Sequence, residues 1–216
     1  MEEERYLRAR RRMVERQIEA RGITDRRILD AMTEIPRHLF VPETYRTAAY
    51  DDGPLPIGEG QTISQPYIVA LMTDMLEIGP DDRVLEIGGG SGYQAAILGK
   101  LAREVVTIER LPDIAALARR NLEKVGVSNV TVVEGNGTLG YTEGAPFDGI
   151  IVTAAAPEVP EALIEQLAEG GRLVIPVGSK AMQLLEKVVK KDGQIVRTSH
   201  GGVMFVPLIG EQGWRE

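Results

Sequence analysis

"RVLEIGGGSGYQAAIL", Arg83 to Leu98, passes from branched apolar residues into glycines at positions 88, 89, 90 and 92, and out again into an alanine- and leucine-rich run. An uninterrupted apolar stretch of this length reads as a buried strand, and the run after Gly92 reads as a helix. A glycine cluster between the two lets the chain turn tightly and lets a ligand approach bare backbone at the start of the helix. Downstream the same grammar repeats. Val105–Ile108, Val130–Val133, Gly149–Val152 and Arg172–Ile175 read as strands, with helices opened by Pro112 and spanning Pro160–Leu167. Apolar strands alternating with helices predict a mostly parallel, doubly wound sheet covered on both faces. The tail differs: Leu184–Val189, the Asp192-Gly193 turn and Ile195–Arg197 read as a hairpin, and Val203–Ile209 as a last strand, giving an antiparallel edge.

Upstream of the loop, Pro66 suits the first turn of a helix running to about Glu77, with Ser64 or Gln65 at its cap. The segment from Pro36 to Ser64 is rich in proline and glycine yet carries Leu39, Phe40, Val41, Tyr45 and Tyr50, so it is expected to pack rather than wave in solvent. Before it lie a short helix capped by Thr24 and ending near Ile35, and an amphipathic N-terminal helix with Leu7, Val14 and Ile18 on its apolar side. Residues 1–65 therefore read as a helical appendage with an acceptor-side loop, and 66–216 as the core, in one compact domain.

Composition removes several chemistries. There is no cysteine, so disulfides, thiolate metal sites and cysteine nucleophiles are absent, and two separated histidines, His38 and His200, make no zinc cage; no metal is expected. The net charge of -7 disfavours nucleic acid and anionic membranes, and the arginines near the N-terminus are interrupted by glutamates. No apolar stretch reaches transmembrane length and no signal-peptide segment precedes the first helix. A cytoplasmic monomer is the expectation.

Spacing then selects the cofactor. A dinucleotide fingerprint needs glycine at position 93, where this chain has Tyr93. The remaining pattern, Glu86-x-Gly88-x-Gly90-x-Gly92, resembles the first motif of the Rossmann-like methyltransferases that use S-adenosylmethionine. Glu109, about 20 residues on at the end of the second strand, stands where a carboxylate accepts ribose hydroxyls. "EGNG", Glu134 to Gly137, ends the third strand where that fold meets adenine.

The acceptor can be narrowed. Methyl transfer is an in-line displacement, so the protein's task is to bring the acceptor atom to about 3–3.5 Å and align it. Cytosine carbon methylation needs an absent thiolate, and "VTAAAPEVP" lacks the Asn/Asp-Pro-Pro-aromatic signature of amino and amide methylation. A carboxyl group with a pKa of roughly 3.5 is already ionised at neutral pH and needs no base. "GQTISQP" offers the Thr62 and Ser64 hydroxyls just before a helix start, where they suit an anion; Ser64 reads equally well as a plain helix cap.

Together, "GQTISQPYIVALMT", "VLEIGGGSGYQAA", "IER", "APFDGIIVTAAAPEVPEALIEQLAEGGRLVIPVG" and "FVPL" are similar to the protein-L-isoaspartate O-methyltransferase family, from about Met13 to Trp214. The resemblance implies a Rossmann-like fold, S-adenosylmethionine as cofactor with S-adenosylhomocysteine as product, and isoaspartyl peptides and proteins as partners. It implies Ser64 as the catalytic residue, with Thr62 and Ile63 shaping the same pocket. Glu86, Gly88, Gly90, Ser91 and Gly92 would frame the methionine part of the cofactor, Glu109 the ribose, Asn136 and Gly137 the adenine, and Gln183 a nearby contact. Two positions depart from the family pattern: Asn136 stands for the usual aspartate, and Gly89 for a frequent threonine or serine. The alternatives are another carboxyl or small-molecule methyltransferase, or a cofactor-binding protein without catalysis.

Overall fold

The computed structural model describes residues 2–215. Helix α1 (Glu2–Met13) carries glutamates in its first turn and arginines in its last, complementing the helix dipole. It widens into one π-type turn over 14–18 and tightens over 19–21 before stopping at Gly22, φ 98°. The wide turn brings Val14 and Ile18 onto the buried side already occupied by Tyr6, Arg10 and Met13, whereas Leu7, expected on that stripe, is half exposed. The next helix, α2 (Arg26–Glu34), is capped by Asp25, which accepts from the Arg27 N–H, and not by Thr24 one residue earlier.

Residues 36–64 form two short 3-10 turns, 37–40 and 43–48, and a small antiparallel hairpin of β1 (Leu55–Gly58) and β2 (Gln61–Ile63). Helix α3 (Pro66–Leu76) follows, with Gln65 at its cap position making no side-chain cap bond. The core then runs β3 (Arg83–Ile87), α4 (Tyr93–Gly99), β4 (Glu104–Glu109), α5 (Pro112–Lys124), β5 (Val130–Glu134), β6 (Phe147–Val152), α6 (Glu161–Glu165), β7 (Leu167–Gly178), β8 (Gln183–Lys191) and β9 (Gln194–Val203).

The large sheet has the order β5-β4-β3-β6-β7-β8-β9. The first five strands are parallel, and β8 runs antiparallel between β7 and β9. From β3 the chain builds outward through β4 to β5 and then returns to place β6 on the other side of β3, so the strand order reverses there. In open α/β sheets ligands bind beyond the strand C-termini at such a reversal. The sheet separates two apolar clusters. Val84 of β3 faces the one filled by α1, α2, α3 and α4, while Leu85 and Ile87 face the other.

Two expected elements differ. The helix over Pro160–Leu167 is shorter, because Leu167 already opens β7, pairing with Phe147 before an irregularity at Gly170 (φ 78°) lets the register resume at Arg172. The strand expected over Val203–Ile209 does not form: β9 ends at Val203, and Pro207 has no N–H for a ladder. Residues 206–208 instead cross beside Ala155, with Ala155 N–H donating to Val206 O and Leu208 N–H to Ala155 O, both at 2.8 Å.

Candidate active site

The loop after β3 is built from left-handed turns that a side chain would not tolerate. Gly88, Gly90 and Gly92 have φ of 93°, 52° and 84°. A Cβ on Gly88 would lie 2.5 Å from Thr153 Oγ1, and one on Gly92 would press on Ala118 of α5 at 3.3 Å. Gly89 is explained by its neighbour: a Cβ there would meet Thr107 Oγ1 of β4 at 2.7 Å. The Gly88 and Gly89 amides donate to Ile108 O at 2.8 and 3.1 Å, tying the loop to β4. Thr153, at the end of β6, donates to Gly88 O at 2.6 Å and lies 3.1 Å from Ile87 O. Ser91 is buried and accepts at its carbonyl from Asn121 Nδ2 at 2.9 Å.

Two carboxylates flank this loop and are used differently. Glu109 is satisfied by backbone: Oε2 accepts from Gly90 N–H at 2.9 Å and Oε1 from Leu111 N–H at 3.0 Å. A carboxylate has about four acceptor positions, so capacity remains for hydroxyl donors. Glu86 is fully buried, and neither of its oxygens has a hydrogen-bond partner among the described residues. Burial, opposed by the Thr107 hydroxyl on β4 and reinforced by the Glu109 charge, pushes the Glu86 carboxyl up to about 8. A buried acid of this kind facing a cavity is a site where a cationic group can draw out the ionised form.

Glu86, Gly88, Gly90, Ser91, Glu109 and Thr153 line a cavity at the C-terminal ends of β3, β4 and β6, which also includes Gly137; Gly92 lies outside that lining and packs against α5. Asn136 stands beside it but outside its lining. Its Oδ1 accepts from Thr138 N–H at 3.1 Å and from Thr138 Oγ1 at 2.7 Å, capping the short turn 137–139. Gly137 is held against Ile87 so closely that no Cβ would fit.

A second cavity, of about 480 Å³, adjoins the first and is lined by Gln65, Ile68, Gln183, Met204 and Phe205 among others; among the described residues no ionisable one takes part in it. Thr62, Ser64, Thr153 and Val206 line both cavities. Ile63 is buried, pairs with Leu55 across the hairpin and lines the first cavity. Ser64 is half-buried at the junction between β2 and α3, and it does not serve as the helix cap, since that position belongs to Gln65. Gln183 lies on the wall of the second cavity and not of the first, with its amide spent internally: Nε2 donates to Ser179 O at 3.2 Å and Oε1 accepts from Phe205 N–H at 2.7 Å.

Sequence reading missed two participants. Thr153 carries no motif beyond its place after an apolar strand. Arg37, in "PRHLF", reads as a surface charge yet has no exposed area. His38 is buried against Tyr6 and Tyr50, and His200 is exposed on β9; neither lines a cavity. Among the described residues no His, Cys, Asp and Glu group could hold a metal ion, and no helix is long and apolar enough to cross a membrane.

The model of the protein-L-isoaspartate(D-aspartate) O-methyltransferase family matches residues 8–213. A protein-L-isoaspartate O-methyltransferase from Methanoculleus marisnigri is 60% identical, with 100% of this chain and 98% of that protein covered. A solved protein-L-isoaspartate O-methyltransferase superposes with a TM-score of 0.86 at 34% identity, covering 94% of this chain and 67% of the other. A second, described as a putative enzyme of the same kind from Plasmodium falciparum in complex with S-adenosyl-L-homocysteine, gives a TM-score of 0.80 at 28% identity, covering 93% and 98%. With a glycine loop, two flanking carboxylates and a shared acceptor wall already in place, these matches settle the lineage: the chain belongs to the protein-L-isoaspartate(D-aspartate) O-methyltransferase family.

Proposed function

We propose that the protein transfers a methyl group from S-adenosylmethionine to the free α-carboxylate of an L-isoaspartyl residue, at the seam where the two cavities meet. One observation carries the reading: Thr62 and Ser64 line both cavities, so a group held by these hydroxyls faces one ligand from the other's pocket. The residues present suit the cofactor. Glu86 can ionise to face an α-ammonium, the loop of Gly88, Gly90 and Ser91, turned by Gly92, offers bare backbone to the methionine part, and Glu109 offers remaining lone pairs to ribose hydroxyls. Gly137 lies where adenine would rest, with Asn136 supporting it. When bound, S-adenosylmethionine supplies an electrophilic methyl on a sulfonium and leaves as S-adenosylhomocysteine.

The chain's own residues then have a limited task. The acceptor carboxylate is already ionised at neutral pH, and the absence of ionisable side chains from the second cavity leaves it neither repelled nor neutralised. The Ser64 hydroxyl donates one hydrogen bond, which orients the carboxylate while leaving its other oxygen free to attack. Thr62 and Ile63 shape the approach, and Gln183 holds the far wall by fixing Phe205 to the Ser179 turn. The ester product has a better leaving group than the acid. Attack by the following backbone nitrogen expels methoxide and closes a succinimide, whose hydrolysis returns some normal aspartate.

Residues 1–65 are assigned as a helical appendage with the acceptor-side loop and 66–216 as the methyltransferase core, in one compact domain. The net charge of -7 speaks against nucleic-acid binding, and we assign the enzyme to the cytoplasm as a monomer. The test is base-labile methanol released from an isoaspartyl peptide and from its aspartyl twin: preference for the isomer is expected, and equal or absent release refutes the reading.

A further inference from the structure

The structure assigns Arg37 as the positioning residue that aims Ser64, an assignment that rests on the proposed role of Ser64. Arg37 lies on the 3-10 turn 37–40 with no exposed surface. Its Nε donates to Ala49 O at 2.7 Å and its Nη2 to Ser64 O at 2.8 Å, while the guanidinium sits over Tyr93, 5.0 Å from the ring centroid. Among the described residues no carboxylate pairs with it, and Nη1 has no partner. Burial lowers its pKa to about 10, which leaves it charged at neutral pH.

A buried cation without a counter-ion is costly, and an apolar side chain would fill the same space at less expense. What a guanidinium adds is a rigid planar fork that fixes the direction of two carbonyls at once. The Ser64 carbonyl is where that direction matters. Ile63 before it is held by pairing with Leu55, and Gln65 after it already accepts the first helical bond from Val69 at 3.1 Å. Between them the Ser64–Gln65 peptide belongs to neither hairpin nor helix, so the Ser64 backbone from which the hydroxyl projects is otherwise the free joint of this wall. Arg37 closes that freedom. Through Tyr93, the first residue of α4 and part of the cofactor cavity lining, it also references the acceptor wall to the glycine loop.

The test begins with wild-type turnover of the isoaspartyl peptide: isomer preference is expected, and its absence overturns the reading of Ser64 rather than the fork geometry. Arg37→Lys then keeps the charge and loses the fork. Because a misplacement of about 1 Å can cost roughly a hundredfold, its kcat should fall about tenfold or more while the Kd for S-adenosylhomocysteine stays within about twofold. Leu163→Ala, in the apolar cluster on the other side of the sheet, is the control for lost stability. A kcat for Arg37→Lys no lower than that of this control, or a kcat that falls together with a comparable rise in Kd, overturns the assignment. If Arg37→Lys does not fold, the wild-type side chain decides by ¹⁵N NMR: slowly exchanging, rotationally hindered Nη hydrogens support a fixed fork, and averaged, fast-exchanging signals reject it.

Discussion

The backbone N–H of Gly90 donates to Glu109 Oε2 at 2.9 Å, so the middle of the glycine loop hangs from the end of the neighbouring strand. With Oε1 bonded to Leu111 N–H, the carboxylate fixes the entrance to α5 as well. Glu109→Gln would turn one acceptor into a donor facing an N–H. Charged hydrogen bonds of this kind contribute about 1.5–3 kcal/mol, so cofactor affinity should fall by roughly tenfold to a hundredfold, with a lower Tm. Calorimetric titration with S-adenosylhomocysteine, alongside thermal unfolding, measures both. A variant with wild-type Tm and weakened binding would show that Glu109 acts on the ligand alone.

Glu86 makes a pH prediction of definite sign. Its carboxyl is pushed from 4.5 up to about 8, so the folded protein holds this proton more tightly than the unfolded chain. The contribution to stability is complete below about 4.5, is lost as pH rises from there to about 8, and is flat above. Glu86→Gln, neutral throughout, should be more stable than wild type at alkaline pH by on the order of a few kcal/mol, and the gap should close in acid. Urea unfolding across that range reads it. A cationic partner favours the ionised form, so ligand binding near neutral pH should release a proton in wild type and none in Glu86→Gln. Calorimetry in two buffers of different ionisation heat detects the difference, and equal proton release in both proteins would remove Glu86 from the site.

The parallel sheet is legible because its strands are mostly apolar on both faces and are spaced by helix-like stretches opened by glycine or proline, as at Ile87-Gly88 and Leu111-Pro112. The glycine loop was legible because positive φ needs glycine, and the three that have it at 88, 90 and 92 stand in the expected register. What could not be read was long-range and polar. No local pattern tells that Arg37 is buried, because its partners, Ala49 O and Ser64 O, are backbone groups that every sequence possesses. Gln183 was expected near the cofactor, yet its bond to Phe205 N–H depends on how the β8–β9 hairpin folds back. The apolar run after Val203 has the composition of a strand, and Pro207 within it lacks the N–H that a ladder requires.

Ser64 offers a separation of roles that the sequence left open. Because Gln65 occupies the cap position of α3, removing the Ser64 hydroxyl should leave that helix intact. Ser64→Ala should therefore lower kcat by about a hundredfold, the cost of one donor aimed at reacting charge. Unfolding free energy should move by no more than about 0.5 kcal/mol, as for a substitution that breaks no structural bond. Steady-state methanol release and urea unfolding on the same preparation separate the two. Intact turnover with reduced stability would make the serine structural.

Asn136-Gly137 is the kind of dipeptide this family's substrates come from, and the structure shows what restrains it. Succinimide formation requires the Gly137 nitrogen to reach the Asn136 side-chain carbonyl carbon. That carbonyl is turned one residue further on, its oxygen held by both the N–H and the hydroxyl of Thr138. Thr138 is fully buried, and its hydroxyl oxygen also accepts from Gln212 N–H at 3.2 Å, so the clamp is anchored to the C-terminal segment. Thr138→Val preserves shape and removes the hydroxyl. Loss of one hydrogen bond worth about 1 kcal/mol should raise the deamidation rate at Asn136 roughly fivefold. Intact mass and peptide mapping of aged samples follow the rate, the imide opening to isoaspartyl and aspartyl chains. Equal rates in wild type and Thr138→Val would show that backbone rigidity at Gly137, packed against Ile87, is the restraint instead.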